Sequence, residues 1–180
     1  MGVIIKVEVT TNWVNAFVLA ENPNGKTHVC PDPRALNRAI KREHFKLPTR
    51  EEVQSKFGNK KVLSKLDAST GFMQKKLDEE SSYLMTFATP FGRYRYLSLP
   101  HGISSASEVY HRSVKDIFGG IQNVDTSIDD IIIAAEDAKT YFNSVKMVLD
   151  TAKSNLKLKK DKCLLGANQL VFLGDLLTDD

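Results

Sequence analysis

The run Ser127-Ile128-Asp129-Asp130-Ile131-Ile132-Ile133 sets two adjacent carboxylates inside an otherwise apolar, β-forming segment. Carboxylates are costly to bury unless positive charge or hydrogen bonds compensate them. A tight hairpin resolves that conflict by holding both aspartates at its tip while its arms are buried. Oxygen donors so placed suit a hard cation such as magnesium, which takes one or two carboxylates together with water and substrate phosphate. The plain alternative is a solvated turn between two core strands. Asp67 adds a third carboxylate, because it ends the apolar stretch at residues 62–66 and precedes the turn-forming Ala68-Ser69-Thr70-Gly71. If the two segments neighbour in one sheet, these groups could hold two magnesium ions about 3.5–4 Å apart, the arrangement for in-line phosphoryl transfer. One ion would lower the pKa of an attacking hydroxyl, and the other would neutralise a leaving pyrophosphate. A two-metal nuclease or phosphatase would use the same three groups.

Other side chains narrow the chemistry. Arg34, Arg38, Lys41, Arg42 and Lys46 form one basic stretch, and Lys153, Lys157, Lys159, Lys160 and Lys162 another. Arg93-Tyr94-Arg95-Tyr96 alternates cations with aromatics, as expected where a nucleic-acid backbone and bases are contacted. On a strand both arginines take one face and both tyrosines the other. Solvated lysine faces and a half-buried strand are the simpler alternatives. None of His28, His44, His101 and His111 stands at helical spacing with another histidine or a cysteine, which argues against zinc. Cys163 fits a small core residue better than a nucleophile. No phosphate-cradling glycine loop is present, since Gly71 and Gly119-Gly120 are isolated turn glycines.

The elements that must position these groups follow from local signals. Residues 14–20 and 26–30 read as a hairpin around Asn22-Pro23-Asn24-Gly25. Asp32-Pro33 predicts a helix with Asp as cap and Pro at its first position. Thr49 and Glu52 have capping-box spacing for a second helix that Gly58 stops. Residues 61–67 predict a strand, and residues 83–89 and 93–99 a hairpin. A helix capped by Ser105 or Ser107 carries Val109, Tyr110, Val114, Ile117 and Phe118 on one face. Strand signals return at 126–135, a helix at about 137–153, and short strands at 156–158 and 170–173. Helices and hairpins interleave without a regular βαβ rhythm, so the expected class is α+β.

Composition agrees with a globular chain but does not choose among functions. The 180 residues are 42% hydrophobic and 26% charged, which excludes a disordered or collagen-like chain. No apolar run reaches the roughly 18–20 residues of a membrane span, and MGVIIKVEV is neither signal peptide nor anchor. Two cysteines cannot build a disulfide framework and point to a reducing, intracellular compartment. The net charge of +3 permits a polyanionic partner without requiring one.

In order, the chain also carries Asn22-Pro23-Asn24-Gly25-Lys26, Asp32-Pro33-Arg34-Ala35-Leu36-Asn37, Ile40-Lys41-Arg42-Glu43-His44-Phe45 and Ser64-Lys65-Leu66-Asp67-Ala68-Ser69-Thr70-Gly71-Phe72. Thr89-Pro90-Phe91-Gly92-Arg93-Tyr94, Leu99-Pro100-His101-Gly102-Ile103-Ser104-Ser105-Ala106, the double aspartate, Lys162-Cys163 and Phe172-Leu173-Gly174 complete the series. Over residues 13–178 this succession resembles the reverse transcriptase of gypsy-like LTR retrotransposons and, more distantly, of retroviruses. The resemblance implies the fingers and palm of a right-hand polymerase, the palm a ferredoxin-like antiparallel sheet backed by helices. Fingers would occupy approximately residues 1–60 and 75–105, and palm approximately 61–74 and 106–180, with thumb, ribonuclease H and integrase absent. It implies that Asp67, Asp129 and Asp130 bind two Mg2+ ions, with Mn2+ as a substitute. Phe72 falls at the steric gate against a ribose 2′-hydroxyl. Arg34 and Asn37 fall in the fingers motif, His28 at a fingers position that faces the triphosphate, and His101 and Gly102 where the incoming nucleotide is held. Phe172, Leu173 and Gly174 match the start of the primer grip. The implied partners are dNTP, an RNA or DNA template-primer and the remaining Pol polyprotein domains, in the cytoplasm or a virus-like particle.

Several positions depart from the family pattern. His101 stands where an apolar or aromatic residue is usual, and Ser127 replaces an aromatic two residues before the double aspartate. Asn22 and His28 replace a Lys and an Arg that face the triphosphate, at roughly 1.5–3 kcal/mol for each charge-assisted contact. Pro31, Lys75-Lys76 and Ser107 are further departures. They define the alternative reading, a non-catalytic nucleic-acid-binding or decaying descendant of such a domain.

Overall fold

The computed structural model describes residues 2–21, 25, 27–42, 45–46, 48–57 and 60–178, with backbone alone at residues 20, 27, 28 and 50. The chain opens with β1 (Ile4–Val7), β2 (Ala16–Glu21), β3 (Thr27–Asp32), α1 (Arg34–Ala39) and α2 (Arg50–Phe57). Next come β4 (Val62–Asp67), α3 (Gly71–Gln74), α4 (Glu79–Leu84), β5 (Thr86–Thr89), β6 (Gly92–Tyr96) and α5 (Ala106–Phe118). The hairpin of β7 (Val124–Ser127) and β8 (Asp130–Ala135) precedes α6 (Ala138–Asn155) and a 3-10 turn at Lys160–Lys162. Last are β9 (Leu164–Ala167), β10 (Gln169–Phe172) and β11 (Asp175–Thr178). Two compact units result: Met1–Glu43 with Phe72–Ser107, and His44–Gly71 with Glu108–Asp180. No helix among the described residues is long and apolar enough to cross a membrane.

The first unit holds an antiparallel sheet of order β1-β6-β5 and the β2–β3 hairpin. Alternation along β6 separates the Arg93-Tyr94-Arg95-Tyr96 side chains as its sequence predicts. Tyr94 and Tyr96 pack on buried Phe87, with ring centroids 6.2 and 5.4 Å away, while Arg95 lies over the Tyr83 ring at 4.1 Å. The Tyr96 hydroxyl donates to the Val29 carbonyl at 2.6 Å, tying β6 to β3. Burial pushes its pKa up to about 12, with a further push from Cys30. Asn15 joins β2 to β5, its amide donating to the carbonyls of Leu84 and Thr86, both at 2.9 Å.

Two sequence expectations shift in this unit. The strand expected over residues 83–89 begins only at Thr86, because Asp78 caps α4 by accepting the Ser81 N–H at 2.8 Å. That cap holds residues 79–84 helical. Asp32 is not the cap of α1 either; it remains the last residue of β3, and Pro33 takes the cap position.

The second unit is built on a sheet of order β7-β8-β4-β9. Ile131, Ile132, Ile133, Ala134 and Ala135 of β8 are all buried, the mark of a strand covered on both faces. One face packs Leu63, Ile132 and Ala134 against Val53 and Phe57 of α2 and against Leu170, Phe172 and Leu177 of the β10–β11 hairpin. On the opposite face Ser64 is hydrogen-bonded to Tyr141 of α6 at 2.7 Å. The capping box of α2 forms as its spacing predicts: Thr49 N–H donates to Glu52 at 3.1 Å and Glu52 N–H to Thr49 Oγ1 at 3.3 Å. Gly58, the expected stop signal, lies outside the described residues. Asp137 caps α6, accepting the Thr140 N–H at 2.9 Å.

Candidate active site

Strand register brings the carboxylates together. In the β4–β8 ladder Asp67 is the direct cross-strand partner of Asp130, and in the β7–β8 ladder Ser127 is its partner on the other side. Directly opposed residues have Cβ atoms about 4.5–5.5 Å apart. Ile128 and Asp129 form the two-residue turn between β7 and β8. The turn is strained, since Ile128 has φ 51°, a left-handed conformation that a β-branched side chain rarely adopts. Two hydrogen bonds from outside the hairpin fasten it. Ala68 N–H donates to the Asp129 carbonyl at 2.9 Å, and Ile128 N–H donates to His111 Nδ1 at 3.3 Å.

Lysines counter two of these carboxylates. Lys65 Nζ lies 2.7 Å from Asp130 Oδ2, and Lys162 Nζ donates to Asp67 Oδ2 at 3.1 Å. Lys65 precedes Asp67 by two residues and therefore shares its face of β4. The Asp67 carbonyl accepts the Lys159 N–H at 2.8 Å, fixing the segment that carries Lys162. The third carboxylate is deeper, with Asp129 Oδ1 out of contact with solvent. A Cβ added to Gly71 would lie 2.3 Å from Asp129 Oδ1 and 2.4 Å from the Tyr110 hydroxyl, so any larger residue must displace both side chains. Burial pushes the Tyr110 phenol well above its ordinary pKa, and the charges of Asp129 and Asp67 push it further.

The donor set suits a hard divalent cation: it is all oxygen, and two ammonium groups stand against it as monovalent counter-charges. Among the described residues no three His, Cys, Asp or Glu groups close into a metal cage by themselves. Magnesium does not need such a cage, because it commonly keeps waters and substrate phosphate oxygens beside one or two carboxylates.

The residues matched to nucleotide binding lie in the first unit, on β3, α1, α3 and the loop between β6 and α5. Phe72 and His101 meet edge to face, with centroids 4.9 Å apart and planes at 78°. Asn37 of α1 clamps the following loop, donating to the Gly102 carbonyl at 2.8 Å and accepting the Ser104 N–H at 2.9 Å. Gly102 itself has φ 98°. The exposed Arg34 guanidinium is held in a fork by Asp32, with contacts of 2.7–3.0 Å. That guanidinium also holds the Asp32 carboxyl below its ordinary range. His28 pairs with Ala20 in the β2–β3 ladder, but its side chain, like Asn22 as a whole, lies outside the described residues.

The β10–β11 hairpin carries the remaining matched residues. Leu173 and Gly174 form its tip with φ 53° and 86°, a pairing of positive angles that suits a tight hairpin turn. Phe172 is buried in the core, so its side chain anchors the hairpin while the tip backbone is presented. Lys65, Tyr110 and His111 were not singled out as site residues from sequence. Strand period could have found Lys65, whereas the α5 residues needed the tertiary structure.

The profile of the family described as reverse transcriptase (RNA-dependent DNA polymerase) matches residues 21–175. The chain is similar to the retrovirus-related Pol polyprotein from transposon 297 of Drosophila melanogaster, at 32% identity over 158 residues. That covers 86% of this chain and 15% of the polyprotein's length. Among solved structures it resembles a foamy viral protease-reverse transcriptase in complex with double-stranded DNA, with TM-score 0.86 and 20% identity. This match covers 98% of this chain and 31% of the other. The same viral protein in complex with an RNA/DNA hybrid gives TM-score 0.85 and 20% identity, covering 99% and 24%. The structural likeness establishes the right-hand polymerase fold, and the sequence match settles the family. The chain belongs to the reverse transcriptase family.

Proposed function

We propose that this chain is the RNA-directed DNA polymerase portion of a retroelement Pol polyprotein, transferring a nucleotide from dNTP to a primer 3′-hydroxyl. The observation that carries this reading is the register of Asp67 against Asp130, with Asp129 in the adjoining two-residue turn. Asp67, Asp129 and Asp130 would hold two divalent ions, Mg2+ or Mn2+, in a family that uses divalent metals generally. When bound, these ions would lower the pKa of the primer hydroxyl and neutralise the departing pyrophosphate. The chain's own residues prepare the site. Lys65 and Lys162 offset the repulsion between facing carboxylates, and the Ala68 amide fixes the turn that carries Asp129.

On this reading approximately residues 1–60 and 75–105 serve as fingers and approximately residues 61–74 and 106–180 as palm. The ring of Phe72, steadied by His101, blocks a ribose 2′-hydroxyl. Asn37 sets the loop of Gly102 for the incoming nucleotide, and Arg34 and His28 complete the fingers contribution. Leu173 and Gly174 present backbone to the primer, with Phe172 as their anchor. The partners are template-primer, dNTP and the other polyprotein domains, inside a virus-like particle or the cytoplasm.

Primer extension on a homopolymer RNA template, with Mg2+ or Mn2+, tests the reading. Incorporation that falls to background in Asp129→Asn supports it. No incorporation with either metal overturns it in favour of a non-catalytic, nucleic-acid-binding descendant. Strand cleavage or phosphate release without a primer would favour a nuclease or phosphatase instead.

A further inference from the structure

His111 is fully buried on α5, yet packing alone is a poor account of its presence. Its Nδ1 accepts the Ile128 N–H at 3.3 Å, and its Nε2, also buried, has no hydrogen-bond partner among the described residues. An imidazole that accepts at Nδ1 carries its hydrogen on Nε2, so that buried N–H is left unsatisfied. An apolar side chain of similar size would fill the same space without that penalty. What the imidazole alone supplies is an acceptor for the amide of Ile128.

That amide matters because of where it lies. Ile128 is the strained residue of the turn, at φ 51°, and it immediately precedes Asp129. Without a hold on its N–H, the Ile128 peptide can relax toward an unstrained conformation, and the Asp129 side chain would turn with it. The second fastening, from Ala68 to the Asp129 carbonyl, grips only the far side of the turn. We infer that His111, as a neutral imidazole with its hydrogen on Nε2, is a positioning residue that holds the Ile128–Asp129 turn in its metal-binding conformation. Its surroundings keep it neutral: burial, then Lys115, lower its pKa, opposed by Asp125. The ring of Phe45, edge-on at 5.4 Å, closes the pocket without offering an acceptor.

The inference rests on the metal-binding reading for its ligand, though the hydrogen bond can be judged separately. In the unsubstituted 180-residue chain, the nitrogen shifts of His111 should report a bare Nδ1 and a protonated Nε2. The Ile128 amide should be protected from hydrogen exchange. A protonated Nδ1 or a rapidly exchanging Ile128 amide overturns the inference without any variant. Mn2+ titration, followed by electron paramagnetic resonance, then compares two near-isosteric replacements. His111→Asn places an acceptor oxygen near the Nδ1 position and should stay within about 3-fold of the parent, whereas His111→Leu should bind roughly 10-fold more weakly or worse. Equal binding by the two variants, at any level, removes the positioning role. If the unsubstituted chain binds no Mn2+, the metal reading fails, while the shift and exchange measurements still decide the hydrogen bond.

Discussion

The carboxylate turn of the second unit and the nucleotide-side residues of the first are assembled by different means. Asp67 and Asp130 face each other because two antiparallel strands keep register over six consecutive residue pairs, from Val62 opposite Ala135 to Asp67 opposite Asp130. A one-residue slip would set Ile131 and Ile133 against α2 in place of Ile132 and Ala134, so close packing on both faces of β8 enforces the pairing of the carboxylates. Phe72, His101, Gly102 and Arg34 have no such ladder between them. Among the described residues a ring contact, the two-sided clamp of Asn37 and a local ion pair help to hold them. The first arrangement gains rigidity from the sheet, while the second depends on single side chains, each removable.

A glycine matters in each region, and the two are needed for different reasons. Gly102 needs freedom of φ, with its nearest would-be Cβ neighbour at 3.5 Å. Gly71 needs empty space, because the Asp129 and Tyr110 oxygens already fill the position of a Cβ. Gly71→Ala is therefore expected to give the largest effect. Overpacking should lower stability by about 1–3 kcal/mol, and displacement of Asp129 should abolish Mn2+ binding. Denaturant unfolding and metal titration check both parts. Unchanged metal affinity in a folded Gly71→Ala chain would show that Asp129 is not confined as described.

Asn37→Ala probes the other kind of construction. Loss of its two hydrogen bonds to the Gly102 loop should cost roughly 1–2 kcal/mol. In primer extension the Michaelis constant for dNTP should rise several-fold with kcat little changed, the pattern of lost ground-state binding. Mn2+ affinity should not move, since Asn37 belongs to the first unit. A fall in kcat at constant Michaelis constant would contradict the division of labour between the two regions.

The same contrast explains what could be seen in the amino-acid order. A β-branched run interrupted by Asp129-Asp130, together with an apolar stretch ending in Asp67, announces two strands and a hairpin through local pattern alone. The capping boxes and caps at Thr49 and Asp137 are local as well. That Asp67 neighbours Asp130 is a pairing across more than sixty residues, visible in sequence only as a possibility and by resemblance. The clamp of Asn37 on Gly102 and the support of Ile128 by His111 leave no periodic trace, because each joins one side chain to a distant backbone group. Local propensity also misjudged Tyr83 and Leu84, whose β-forming character yielded to the Asp78 cap upstream. Among the short elements, β9 and β11 carry few β-forming residues and rely on their partner strands, whereas β1 is largely β-branched itself.

An ion pair in each region supplies the finest comparison. Lys65 holds Asp130 at 2.7 Å within the carboxylate group, and Arg34 holds Asp32 at 2.7 Å on the exposed side of α1. Pairs of this kind weaken with salt. Lys65→Met removes the ammonium that a divalent ion must displace from Asp130, while leaving Asp67 and Asp130 to repel each other across the ladder. Two consequences of opposite sign follow. The metal-free chain should melt slightly lower, and Mn2+ should bind about 3-fold more tightly, both effects shrinking as ionic strength rises. Arg34→Met, the matched change in the first unit, should leave Mn2+ affinity unaltered. Weaker Mn2+ binding in Lys65→Met would mean that the ammonium helps to orient Asp130 for the ion instead of competing with it as a counter-charge.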